Sequence, residues 1–225
     1  MRRYHIACAP WYTDVQVKAD AMLAAHNKRH EQLQARYGAV PVTRKEQDAI
    51  YAYLNLNKRG GIPRRVPAIR AGTINEALRS RRLGANTEMQ EVVGALDRVF
   101  AKSATLPLPA VRRVFRGVDS ANLRGWQIGG VRRFRGYLST SHDKGRALFY
   151  AGRDRNILSI CFQRPTPFIF SQFEDEIVLP RNTAVQLLAV KDMAVDKSFI
   201  LPHHDVAEQF VPVGTTLRCF ECVVV

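Results

Sequence analysis

The sequence predicts an α+β domain, on two observations. Signals for amphipathic helices fill roughly the first half of the chain, and short runs rich in β-branched and aromatic residues fill the second. The two kinds of element do not alternate, which argues against βαβ units and for helices packed on a sheet. With 225 residues, 46% hydrophobic and 24% charged, the chain can bury one sizeable core.

The elements follow in order. Asp14 to Tyr37 reads as a mostly polar helix with Val17, Ala21, Leu23, Ala24 and Leu33 as its apolar positions. Residues 1–40 are expected to form a basic helical extension to a main domain at 41–225. Thr43 and Glu46 make a capping box for a helix whose apolar face carries Ile50, Tyr51, Tyr53 and Leu54. KRGGIP (58–63) breaks the chain, after which Thr73–Glu76 and Thr87–Gln90 read as two further capping boxes. The second opens a helix with Val92, Val93, Leu96, Val99 and Phe100 that ends before Pro107. Strands are expected at 111–118, 133–139, 156–162, 167–170, 176–179, 184–190 and 215–225, with a helix through KGRALFYAG capped by Ser141.

Charge and composition narrow the function classes. Lys and Arg total 34 against 20 Asp and Glu, a formal net charge of +14, with clusters at Lys58–Arg70, Arg79–Arg82 and Arg132–Arg135. Such runs are commonly solvated faces, but a surplus this large also favours polyanions, acidic protein surfaces or phosphate-bearing ligands. No RNP, zinc-finger or basic-zipper signature accompanies it. No apolar run reaches the roughly 20 residues of a membrane span, and the start MRRYHIACAPWYTD lacks the apolar region of a Sec-type signal. Four cysteines are too few and scattered for a disulfide framework. Cys219 and Cys222 fall on opposite faces of one expected strand, and His203–His204 sit in an expected loop without companion ligands, so no metal site is expected.

Three stretches carry candidate chemistry. In VFRGVD, alternation puts Phe115 and Arg116 on opposite faces, and an arginine in such a strand needs a carboxylate, a phosphate or water. In GYLSTS, the hydroxyls of Ser139, Thr140 and Ser141 close a strand that runs into a helix. In SQFEDEIVLP, Glu174 and Glu176 project from one face of extended chain, with Asp175 between them pointing away. Two carboxylates held together acquire divergent pKa values and divide labour, one stabilising charge and one taking a proton.

In this order and with these flanks, the motifs resemble the mono-ADP-ribosyltransferases of the arginine–serine–glutamate class, a group of bacterial actin-modifying toxins, phage enzymes and type III effectors. The likeness runs from about Glu46 to Val190 and includes AIYAYLN, TINEALRS, Ala147 and Phe149 behind GYLSTS, and EDEIVLPRNT. It implies an ADP-ribosyltransferase-like fold of two packed, twisted β-sheets flanked by the N-terminal helices, with NAD as substrate in the cleft and no metal. By the same resemblance, Glu176 stabilises the cationic transition state, Arg116 binds the phosphate or ribose side of NAD, and Gly117 lets the backbone approach the nicotinamide amide. Ser139 orients Glu176, and Thr140 and Ser141 support the site. Arg79 and Arg164 resemble phosphate-binding arginines of the class. Glu174, where asparagine-modifying relatives carry glutamine, implies an arginine acceptor on a protein. The segment QRPTPFIFSQF (163–173) is shorter than in the toxins, and Phe173 stands where a small residue is frequent. Two alternatives therefore stay open: a catalytically silent module that binds arginine-containing peptides, and an enzyme whose acceptor is nucleic acid. The chain suits an effector delivered into a host cell by a non-Sec route, or a cytoplasmic or phage protein.

Overall fold

The structure is a computed structural model that describes residues 24–25, 27–28, 31–35, 38–54, 71–104, 113–151, 154–171, 176–195 and 214–225. After helical residues at 31–35 come α1 (Arg44–Tyr53), α2 (Ala71–Ser80) and α3 (Thr87–Ser103). The capping box of α1 forms as expected. The Thr43 N–H donates to Glu46 Oε2 at 2.8 Å, and the Glu46 N–H donates to Thr43 Oγ1 at 3.4 Å. The other two boxes do not form. Thr73–Glu76 lies inside α2, which already begins at Ala71, and α3 is capped by Asn86, whose Oδ1 accepts the Met89 N–H at 2.9 Å. Asn86 stands one residue before Thr87 in extended backbone, and its side-chain oxygen takes the orphan donor first.

Eight strands follow: β1 (Arg113–Val118), β2 (Val131–Phe134), β3 (Leu138–Ser141), β4 (Asn156–Cys161), β5 (Ile169–Ser171), β6 (Glu176–Leu179), β7 (Thr183–Ala194) and β8 (Thr216–Val224), with helix α4 (Lys144–Phe149) after β3. They form one hydrogen-bonded sheet in the order β2-β7-β8-β4-β1-β3-β6-β5, antiparallel except for β4 and β8. The strand expected at 133–139 is divided. At the break, the Tyr137 N–H donates to Asn75 Oδ1 of α2 at 2.8 Å, so the chain bonds to a helix instead of continuing a ladder. Gly136 permits that approach, because a Cβ there would meet Asn75 Oδ1 at 2.6 Å.

A seam runs through the sheet. β1 and β3 share a single opposed pair, Phe115 and Ser141, whereas β1 and β4 are paired along their whole length. The seam divides a three-stranded part, β3-β6-β5, from a five-stranded part, and the two parts pack against each other as the expected pair of sheets would. One core cluster unites Leu138, Phe170, Ile177 and Leu179 of the first part with Val114, Leu158, Ile160, Leu187 and Phe220 of the second. Leu33, from a helical turn at residues 31–35, is 1% exposed in the same cluster. The helices cover the other face of the three-stranded part, where Tyr53, Ile74, Val99 and Phe100 meet Tyr137, Ile169 and Val178. α4 lies on the five-stranded part, with Ala147 and Leu148 against Phe115, Ile157 and Leu217.

Cys219 and Cys222 are both buried, and burial raises both thiol pKa values, Cys222 to about 12, so they behave as ordinary core residues. His203 and His204 lie outside the described residues. Among the described residues no helix is long and apolar enough to cross a membrane, and no three His, Cys, Asp or Glu side chains are gathered to hold a metal.

Two polar clusters brace the helices. Glu46 is 2% exposed and accepts from Lys102 Nζ at 2.6 Å, which ties α1 to α3. Arg181 grips Asp97 of α3 through Nε and Nη2, and the buried Tyr137 hydroxyl donates to Asp97 Oδ1 at 2.9 Å. Burial alone would raise the Glu46 pKa, but the hydrogen bonds from Lys102 and Thr43 outweigh it and hold the carboxyl below its usual value. A depressed carboxyl pKa contributes stability above its unfolded value, near 4.3, and loses it as pH falls through the folded one. Glu46→Gln is therefore expected to cost about 2 kcal/mol at neutral pH. In urea melts the difference from wild type should hold above about pH 5 and shrink below about pH 4; a gap independent of pH would contradict the pairing.

Candidate functional site

A cleft of about 850 Å³ opens where the seam parts β1 from β3, with one face of α2 and helix α4 at its margins. That volume is in the range of pre-formed small-molecule sites. Arg116 and Gly117 of β1, Ser139, Thr140 and Ser141 of β3, Glu176 at the start of β6 and Arg79 of α2 all line it. The structure thus gathers seven of the nine candidates. Arg164 is exposed in the β4–β5 loop and does not line the cleft, and Glu174 lies outside the described residues.

Each strand places its side chain for a local reason. Arg116 is central in β1, and its Nη1 donates to the Ser139 carbonyl at 2.5 Å, bridging the seam where the backbone ladder has ended. Burial pulls the Arg116 pKa down, while Tyr53 and Glu176 favour its charged form. An arginine remains protonated under such a balance. Thr140 points to the opposite face, and its hydroxyl donates to the Ile177 carbonyl at 2.6 Å, locking β3 onto β6. The Ser141 hydroxyl accepts the Asp143 N–H at 3.0 Å, and it is Asp143, not Ser141, that caps α4 by accepting the Gly145 N–H at 2.8 Å. Asp143 is the residue immediately before the helix, so its carboxylate reaches the first orphan donors.

Register decides which groups surround Glu176. Ser141 lies directly opposite it on β3, Ser171 directly opposite on β5, and Ser139 is opposite Val178. Ser139 lies beside the Tyr53 hydroxyl of α1. Tyr53 accepts from Asn75 Nδ2 at 3.0 Å, and its pKa is raised, first by burial and then by the Glu176 charge. Sequence reasoning treated Tyr53 as an apolar-face residue and passed over Asn75. A polar residue beside Ile74 on the buried side of a helix was the available signal for Asn75.

The wall is strongly basic. Arg79, Arg116, Arg132, Arg133, Arg135 and Arg146 line the cleft, against two carboxylates, Asp119 and Glu176. Backbone carbonyls hold several of them in place: Arg132 bonds to Asn122 and Arg124 and stacks over Trp126 at 4.9 Å, and Arg133 bonds to Asn182. An anionic ligand is favoured there.

The fold is that of the bacterial ADP-ribosyltransferase toxins. The structure is similar to an ADP-ribosyltransferase from Clostridium botulinum, with a TM-score of 0.59 and 16% identity over 88% of this chain and 94% of that one. It is similar to Plx2a, an ADP-ribosyltransferase toxin from Paenibacillus larvae, with a TM-score of 0.60 and 15% identity over 91% and 96%. It also matches the enzymatic component C2-I of the C2 toxin from Clostridium botulinum, at 0.60 and 14%, over 86% of this chain and 46% of that one. The chain therefore spans about half the length of C2-I. No family model matches the sequence, and no curated protein matches it.

Gly117 has a structural reason to be glycine. A Cβ at this position would overlap the Ala147 carbonyl oxygen, the Tyr150 carbonyl carbon and the Ala151 nitrogen, all backbone of α4 and the turn after it. Backbone cannot yield as a flexible side chain can. Gly117→Ala is expected to destabilise the fold by about 3 kcal/mol, read as a lowered Tm. An unchanged Tm would mean that α4 is not seated on β1 in this way.

Proposed function

We propose that the chain is an NAD-dependent mono-ADP-ribosyltransferase that modifies an arginine of a protein. The observation that carries this reading is the convergence of Arg116, Ser139 and Glu176, from three different strands, on one basic cleft in a toxin-type transferase fold. In the reaction the bond from nicotinamide to ribose breaks, nicotinamide leaves with the bonding electron pair, and the ribose carbon acquires oxocarbenium character. The Glu176 carboxylate stabilises that charge electrostatically. Arg116 spends one donor on Ser139 and keeps the rest of its fork for a phosphate or ribose oxygen. Arg79 adds positive charge on the pyrophosphate side. The acceptor guanidinium nitrogen attacks the ribose carbon, and its proton passes to Glu174, two residues before Glu176. Ser139, Thr140 and Ser141 keep the floor of the site in register.

The arginine acceptor rests on the Glu174–Glu176 pair, and delivery into a host cell as a virulence effector rests on the basic chain and the toxin fold. The arginine-lined wall favours a second acceptor class, nucleic acid, through phosphate contacts.

Incubation with labelled NAD and agmatine tests the reading, with Glu176→Ala alongside. Transfer and NAD hydrolysis are expected in wild type and at least about a hundredfold less in the variant. No NAD binding by calorimetry would overturn the reading and favour a silent module; label in RNA or DNA but not in protein would favour the nucleic-acid acceptor. Glu174→Gln should abolish transfer while retaining NAD hydrolysis, and equal loss of both would contradict the division of roles. Arg116→Lys should raise KM for NAD despite conserving charge, since a point charge cannot replace a planar fork.

A further inference from the structure

Ser171, the last residue of β5, is 3% exposed, and its hydroxyl has no hydrogen-bond partner among the described residues. An unsatisfied buried hydroxyl destabilises a fold, and alanine would fill the same space without that cost. The register supplies a reason for the serine. Ser171 is directly opposite Glu176, and Glu176 is directly opposite Ser141 on its other side. Opposed residues in antiparallel strands share a face, with Cβ atoms about 5 Å apart. A serine therefore stands on each flank of the Glu176 carboxylate. The Ser141 oxygen accepts the Asp143 N–H, and Ser139 lies opposite Val178 and beside Tyr53. The Ser171 oxygen is bonded neither to Glu176 nor to any other described group in this structure, so it reaches the carboxylate only by a turn of its side chain about the Cα–Cβ bond.

We propose that Ser171 is a positioning residue for Glu176, donating its hydroxyl proton to the carboxylate and holding it ionised and aimed into the cleft. The register places the two side chains on one face of the sheet; the consequence of a bond between them for turnover rests on the transferase reading above. Other groups act on the same carboxylate. Arg116 faces it from β1 and Tyr53 from α1, Asp119, Arg79 and Arg146 share the cleft, and Glu174 and Asp175 precede it in the sequence. His142, beside Ser141, packs its ring against Phe170 at 6.4 Å. None of these is altered by a change at Ser171, so a single substitution isolates the serine.

The test follows the Glu176 side-chain carboxyl by NMR in the full chain labelled at glutamate, assigned with Glu176→Gln. In Ser171→Ala the apparent pKa of Glu176 is expected to rise by about one unit, and in Ser171→Thr, which restores a hydroxyl, to return toward the wild-type value. The acidic limb of kcat for NAD hydrolysis should move by the same amount, with KM for NAD unchanged. An unmoved Glu176 titration in Ser171→Ala overturns the assignment, whatever the activity. If the titration moves as expected but wild type hydrolyses no NAD, the positioning contact stands and the transferase reading falls.

Discussion

A single opposed residue pair, Phe115 with Ser141, joins the two parts of the sheet, and the remaining architecture depends on that short seam. Past it, β1 and β3 separate, and backbone groups that a ladder would have satisfied need other partners. The Arg116 side chain meets that need at the Ser139 carbonyl. The same divergence lets the two parts fold face to face over Leu158, Ile160, Ile177 and Leu179, and it opens the cleft on the other side. An arginine used to close a gap in a ladder still has donors to spare, so the residue that makes the structural repair is also the one proposed to bind the anion.

The helices set the position of the three-stranded part relative to that gap. Asn75 reaches from α2 to both Tyr53 and the Tyr137 N–H, and so places the start of β3. The Tyr137 hydroxyl, Asp97 and Arg181 form a second anchor between α3 and the turn after β6. In these anchors each buried polar group has a partner of good geometry, which favours one arrangement over a molten alternative. Ser139 and Glu176 therefore ride on strands that are themselves held by the helices, and their spacing follows from that packing.

The five-stranded part is positioned differently, by close backbone packing. α4 sits so near β1 that only glycine fits at position 117, and the helix is held there by Asp143 at its N-terminus. That arrangement brings Arg146 to the cleft wall together with Arg79 and the β2 arginines. Six arginines therefore face two carboxylates where an anionic ligand would enter.

Much was legible in the sequence because it depends on near neighbours. The α+β class, the Thr43–Glu46 box, the strand at 176–179 and the opposite faces of Cys219 and Cys222 all follow from periodicity and spacing of a few residues. The ordered motifs around Arg116, Ser139 and Glu176 pointed to one site, and they do meet in one cleft. Where two local solutions competed, the residue immediately before the helix or a contact from a distant element chose. Asn86 and Asp143 cap helices in place of Thr87 and Ser141, and Asn75 breaks the run at 133–139 into two strands. Strand register, which sets Ser171 and Ser141 on either side of Glu176 and Ser139 opposite Val178, is a relation between distant segments, and no local pattern encodes it. Local pattern thus settled which residues were available for the chemistry. The packed chain chose which of them face each other, because pairing across a sheet depends on how every element is seated.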